Sequence, residues 1–354
     1  MIDALDAAGL LARFAALHPV AATGMGIHDH DGSWGEHGPA GRAARLGWCD
    51  REEARLVAIP VASLSPDDLC DRDLALGTIR AIRFELQEVQ PEAWDALHTV
   101  SVIGGGLFPL IARGFGTAER RASDLASRLT QIPALLDAAV TDLTGLPELR
   151  VPADDGAPRR AGDLPPTGTV TLPARPVSRL HTETAIAQAP GIAELAELAV
   201  TTYGEALRGP ADAAIAATTR FIERLQREVL PQSSGEGRYG AALYDRALRH
   251  TLFGSHDRAA IAAKGEHEFA AVRARMISIA QRIAPEWLGD RATAALSGDR
   301  STLVAEVLHA TSAQRPVTHL AARPSHPSRR TTRSADRRDR SARARQASAM
   351  AWWW

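Results

Sequence analysis

Three histidines, two aspartates and three glycines crowd into residues 18–34, HPVAATGMGIHDHDGSW, in a chain otherwise rich in Ala, Leu and Arg. Alternate side chains of an extended segment share a side, so His28 and His30 would point together. Imidazoles with the carboxylate of Asp31 make an acceptable ligand set for zinc or iron, and His37 could join across a turn. The competing reading is structural: short polar side chains in a Gly-flanked loop hydrogen-bond their own backbone. The spacing fixes no further ligand, so His28, His30 and Asp31 are weak candidate metal ligands, and no catalytic or cofactor-binding residue is assigned.

Other chemistry-bearing patterns fail on inspection. His267-Glu268 begins like the His-Glu-x-x-His of zinc peptidases, in which two His one helical turn apart chelate the metal, but position five is Ala271. No Gly-x-Ser-x-Gly elbow occurs for a serine nucleophile. Gly104-Gly105-Gly106 lacks the spacing and the Lys of a phosphate loop and reads as a helix junction. Cys49 and Cys70 fit neither a disulfide framework nor a Cys-based zinc site, and read as small buried hydrophobes in a reducing compartment.

The elements that would position these residues are helices. Leu5, Leu10, Leu11, Phe14 and Leu17 recur at helical spacing, and His18-Pro19 ends the run because a residue before Pro avoids the α region. Residues 24–39 read as an extended loop, after which helical text resumes over 40–59. Ser65-Pro66-Asp67-Asp68 is a helix start, with an N-cap oxygen, Pro in the first turn and acids at the positive end of the dipole; that helix should reach Glu88. Thr117 caps another, kinked at Pro133. Residues 147–176 are dense in Pro, Gly and Asp and read as a surface connection. Helical text then covers 177–188, is interrupted at Pro190-Gly191 and continues to Leu207, followed by helices over 211–230 and 239–252, and a last one, capped by Asp257, ends before Pro285.

Composition agrees. The chain is 45% hydrophobic but only 5% aromatic, which favours helices packed through small side chains over a sandwich of aromatic and β-branched strands. The expected fold class is all-α: a multi-helix, two-lobed assembly. It divides into an N-terminal helical lobe (1–150) with the His/Asp loop at 24–39, a connection (151–176), a second helical segment (177–310) and a tail (311–354). Acidic residues and an Arg in the first helix argue against a signal peptide, and no run of about 18 apolar residues occurs; a cytoplasmic protein without membrane contact is expected.

The net charge of −1 averages two unlike parts. Residues 311–354 hold ten Arg and two Asp, about +8, leaving about −9 for the rest. Arg that neutralise phosphates release counterions, and Trp352–Trp354 could stack on bases, so the tail could serve a helical binding module that contacts nucleic acid or another polyanion. The low apolar content and the missing helical period favour a disordered end without specific nucleic-acid binding. Text of this kind ending in three Trp also looks like out-of-frame translation of a GC-rich gene.

The segment HPVAATGMGIHDHDG resembles the opening of the bacterial domain of unknown function 885 family. Further segments agree in order: RLTQIPALLDAA (128–139), ETAIAQAPG (183–191), and LYDRALRHTL followed by AAKGEHEFAAVRARMISIA. The resemblance spans Met1 to about His309. It implies a helical, zincin-like fold resembling the N-terminal part of a metallopeptidase, with zinc expected for full-length members, which look like zinc-dependent hydrolases of peptides. Their His-Glu-x-x-Pro-Gly-His-type segment does not occur here, since the chain has no Pro-Gly-His. The expectation is a truncated or frameshifted N-terminal part, inactive alone and without a cofactor of its own. It would meet a peptide substrate only if a C-terminal half completed it. Oligomeric state is not legible.

Overall fold

Ser65 and Thr117 do what their positions predict: each hydroxyl accepts a backbone N–H in the first turn of a long helix, from Asp68 and Arg120, both at 3.2 Å. A computed structural model describes residues 5–153, 168–252 and 257–313. The fold is predominantly all-α, as composition and periodicity imply. In chain order the helices are α1 (Ala7–Leu17), α2 (Pro19–Met25), α3 (Gly38–Val57), α4 (Pro66–Phe84), α5 (Pro91–Trp94), α6 (Ala96–Ala112), α7 (Ala118–Asp142), α8 (Arg179–Gln188), α9 (Pro190–Tyr203), α10 (Arg208–Arg224), α11 (Gly240–Leu252), α12 (Arg258–Leu288), α13 (Ala292–Ser297) and α14 (Arg300–Ala313). A two-stranded antiparallel sheet, β1 (Leu149–Pro152) with β2 (Thr169–Leu172), pairs Leu149 with Leu172. It lies in the stretch that its Pro and Gly content marks as an irregular connection.

Where structure and sequence part, packing overrides local propensity. Pro133, Pro109 and Pro285 all lie inside continuous helices, so none of them ends one, and α12 runs on past Pro285. Gly104-Gly105-Gly106 is mid-helix in α6, not a junction. Gly106 is required there by a close approach, because a Cβ would sit 2.2 Å from the Trp34 ring. The expected loop at 24–39 shrinks, since Pro19 opens α2, which carries the chain to Met25 before Gly26 caps it in the left-handed region at φ 84°. Cys49 is buried but Cys70 is exposed, so only the first behaves as a small hydrophobe; burial pushes its thiol up to about 11.

The described residues divide into two compact units, split near residue 255. In the first, α6 and α7 pack against α9 and α10. Ile103, Leu107 and Leu110 meet Leu125, Leu129 and Ile132, while Ala196, Ala199, Ala211, Ala214 and Ala217 let the facing helices approach closely. Beside this core, Phe14, Trp48, Leu56, Leu76, Ile79 and Ile82 close α1 on α3 and α4. The second unit holds α12 to α14 around Ala284, Leu288, Leu303 and Val307. On α12, Phe269, Val272, Met276 and Ile279 remain exposed. The Arg-rich tail from residue 314 on lies outside the described residues.

Candidate functional site

A cavity of about 520 Å³ opens in the first unit, within the range usual for small-molecule sites. Part of its wall is made by the stretch that stood out in the sequence: His18, Pro19, Val20, Ala21, Met25 and Trp34 all line it. The His-Pro pair explains why. His18 is the hinge between α1 and α2, its N–H donating to the Phe14 carbonyl (2.9 Å) and its carbonyl accepting from Ala22 (2.9 Å). That geometry stacks its ring on Phe14 at 4.6 Å and sets it edge-on to Trp48. Nε2 of His18 is withdrawn from solvent and has no hydrogen-bond partner. Burial, with Arg45 nearby, pushes its pKa down to about 3, so the ring is neutral at physiological pH.

Glu85, which also lines the cavity, begins a segment, Glu85–Val89, in which α4 widens into a π turn. The Gln90 N–H closes that turn on the Glu85 carbonyl at 2.8 Å, and Gln90 is held in the left-handed region at φ 45°. A π turn followed by a non-glycine residue at positive φ is a strained arrangement of the kind that gathers at functional sites. Arg42 holds it by donating to the Gln90 side chain. The Glu85 carboxyl makes no hydrogen bond to any described residue. Burial, reinforced by Glu92, raises its pKa to about 8, so it is chiefly the neutral acid at pH 7.

Glu92, on α5, faces two arginines. Its oxygens lie 3.9 Å from Arg42 and 4.0 Å from Arg45, and Arg45 also donates to the Glu36 carbonyl at 2.8 Å. Asp142, at the end of α7, is raised by burial and by Glu92. His98 reaches the cavity from α6 and His37 from the start of α3; Nε2–H of His37 donates to the Trp34 carbonyl at 3.2 Å. The cavity thus offers apolar walls, the Glu85 carboxyl without a hydrogen-bond partner among the described residues, and arginines and carboxylates behind it.

A family model described as bacterial protein of unknown function (DUF885) matches residues 19–346. The chain belongs to this family. The match runs past His309, where the resemblance read from the sequence ends, so the change of composition near residue 310 is not the family's boundary. No curated protein matches. Among solved structures, a "putative lipoprotein of unknown function" from Shewanella oneidensis is similar with a TM-score of 0.64 at 19% identity, over 87% of this chain and 52% of that one. The likeness shows the fold. The chain spans about half the length of that protein.

In this DUF885 member His28, His30 and Asp31 are not among the residues that line the cavity. Nδ1 of His28 lies 2.8 Å from Asp31 Oδ2, and the His28 ring stacks on Phe115 at 3.7 Å. Asp31 is buried, and its Oδ1 accepts from the Thr23 hydroxyl at 2.6 Å. Thr23 in turn accepts from Arg128 Nη2 at 3.0 Å. Arg128, fully buried, also donates to the Ser33 and Gly106 carbonyls and lies over the Trp34 ring at 5.1 Å. His30 is half-buried and offers its backbone carbonyl to the Ser33 N–H. The structure joins His28 to Asp31 and leaves His30 out. Among the described residues no group of three or more His, Cys, Asp or Glu is placed to hold a metal ion.

Sequence reasoning missed Glu85, Glu92, Arg45 and His98. One signal was present: Thr78, Ile82 and Glu85 share a helical face, and Ile79, Ile82, Leu86 and Val89 mark it as apolar. A carboxylate on an inward face is a group that must be paired or neutral.

Proposed function

We propose that this chain is the N-terminal helical part of a zinc-dependent, peptide-directed hydrolase, that it is not catalytic alone, and that its contribution is the substrate-receiving cavity. The observation that carries this reading is that the segment by which the chain resembles the family contributes His18, Pro19, Val20, Ala21 and Met25 to the cavity wall. The described residues do not fit a zinc ion, so no catalytic step is assigned to them. The span of about half of the Shewanella protein and the uncovered apolar face of α12, where Phe269 is 69% exposed, support a chain that works with further protein.

The purified full chain should retain apolar peptides from a mixed pool without cleaving them, with or without added zinc. Retention should weaken in Ala21→Trp, which fills the cavity. Cleavage by the chain alone, or no retention, overturns the reading. In the gene, a His-Glu-x-x-Pro-Gly-His segment should lie downstream of codon 310 in one of the frames; its absence from all of them removes the zinc-hydrolase part. A cytoplasmic location belongs to the same proposal, and cell fractionation checks it. Membrane association would instead align the chain with the lipoprotein designation of the Shewanella protein.

A further inference from the structure

The Glu85 carboxyl lines the cavity and has no hydrogen-bond partner among the described residues. Once ionised it accepts through two oxygens. Keeping such a group unpaired costs free energy and calls for an explanation.

Charge balance narrows the donor. Arg42 and Arg45 (α3) face Glu92 (α5) and Asp142 (α7), and Glu36 acts on Arg45 as well. A carboxylate entering beside Glu85 would add to these negative charges. An ammonium offsets Glu85 if it ionises to meet it. Around these groups the walls are apolar, from Phe14, Leu17, Val20, Met25, Ile82 and Leu86.

We propose that this cavity binds a protonated amine carried on an apolar group, the ammonium donating to Glu85 and the apolar body filling the space beside α1, α2 and α4. The inference rests on the proposed function in one respect: in a peptide-directed protein, the source of that amine is the N-terminal residue of the peptide, with an apolar side chain. A free apolar amine has the same chemistry. On binding, the amine arrives already protonated, Glu85 gives its own proton to the buffer, and the ion pair forms between the ammonium and the carboxylate left behind.

The test is calorimetry on the full chain at pH 7 in two buffers of different ionisation enthalpy, with L-leucinamide, 3-methylbutylamine, N-acetyl-L-leucinamide and 4-methylpentanoate as probes. An amine should bind with release of about one proton, and the Glu85 carboxyl ¹³C resonance should move to its ionised position. Preference for leucinamide assigns a peptide N-terminus; preference for 3-methylbutylamine assigns a free amine. E85Q keeps the shape of the neutral acid and should bind amines at least tenfold more weakly with no proton release. Equal or tighter binding of the acetylated amide or of the carboxylate overturns the proposal, as does failure of both amines to bind folded protein at millimolar concentration. Peptides held equally well with free and acetylated N-termini would sink this inference and leave the proposed function standing. Amine binding without peptide retention would do the reverse.

Discussion

Two polar clusters flank Trp34, and they have opposite characters. On one side Arg128, Thr23, Asp31 and His28 form a chain in which each group meets the next, from the Arg128–Thr23 contact at 3.0 Å to the Asp31–His28 contact at 2.8 Å. On the other, His18 and Glu85 are held near the cavity with their polar atoms unpaired. His28, Asp31 and His18 come from the stretch that stands out in the sequence, and Glu85 does not. The difference lies in satisfaction: a buried network that pairs its donors and acceptors stabilises the fold, whereas partnerless groups around a space keep their capacity for a ligand.

The comparison breaks most severely at Arg128. Arg128→Met strands the Ser33 and Gly106 carbonyls and leaves Asp31 without its nearby cation. A loss of about 3–5 kcal/mol is expected by chemical denaturation. Although burial has already lowered the Arg128 pKa to about 10, it remains charged at neutral pH. A loss below about 1 kcal/mol would mean that the network does not stabilise the fold as its geometry implies.

Gly106→Val is expected to cost about 1–3 kcal/mol by overpacking, because the added Cβ would sit 2.2 Å from the Trp34 ring that separates the two clusters. If Trp34 moves to accommodate it, the cavity wall moves too, so ligand retention should fall together with stability. Loss of stability with retention unchanged would uncouple the clusters.

Much of this architecture is legible in the sequence and some of it is not, for physical reasons. The caps at Ser65 and Thr117 and the break at His18-Pro19 rest on local chemistry within a few residues. Pro133, Pro285 and Gly106 mislead because tertiary packing pays for a lost hydrogen bond or demands a missing side chain. Glu85 and Glu92 are only seven residues apart, but their meeting with Arg45 needs α3 to fold back on α4. The His/Asp loop draws the eye for the same reason it is quiet: its short polar side chains find partners.

The cavity cluster should announce itself in the pH dependence of stability. The Glu85 pKa rises from 4.5 to about 8 on folding, so between these values the native state binds the extra proton and stability falls as pH rises. His18 goes from 6.5 to about 3; there the unfolded state binds the extra proton, and stability rises with pH up to about 6.5. E85Q should therefore remove the alkaline decline, gaining about 1 kcal/mol or more at pH 8 relative to wild type, and His18→Phe should remove part of the acid decline. Urea midpoints from pH 4 to 9 check both. If Glu85 ionises as an ordinary carboxylate, E85Q will run parallel to wild type across that range.

The smallest effects separate two histidines two residues apart. His28→Ala removes an imidazole that contacts the buried Asp31 and stacks on Phe115, and should cost about 1 kcal/mol, a typical net value for one hydrogen bond. His30→Ala removes a side chain with no described polar contact and should fall within about 0.5 kcal/mol of wild type, the usual range for substitutions away from special features. Because a shared metal would tie the two together, the decisive measurement is the same pair in the presence of zinc. If both variants lower the melting temperature equally and only when zinc is present, His28 and His30 act as ligands after all. Unequal losses that zinc does not change leave His28 as a member of the Arg128 network and His30 as a solvent-facing residue of the loop.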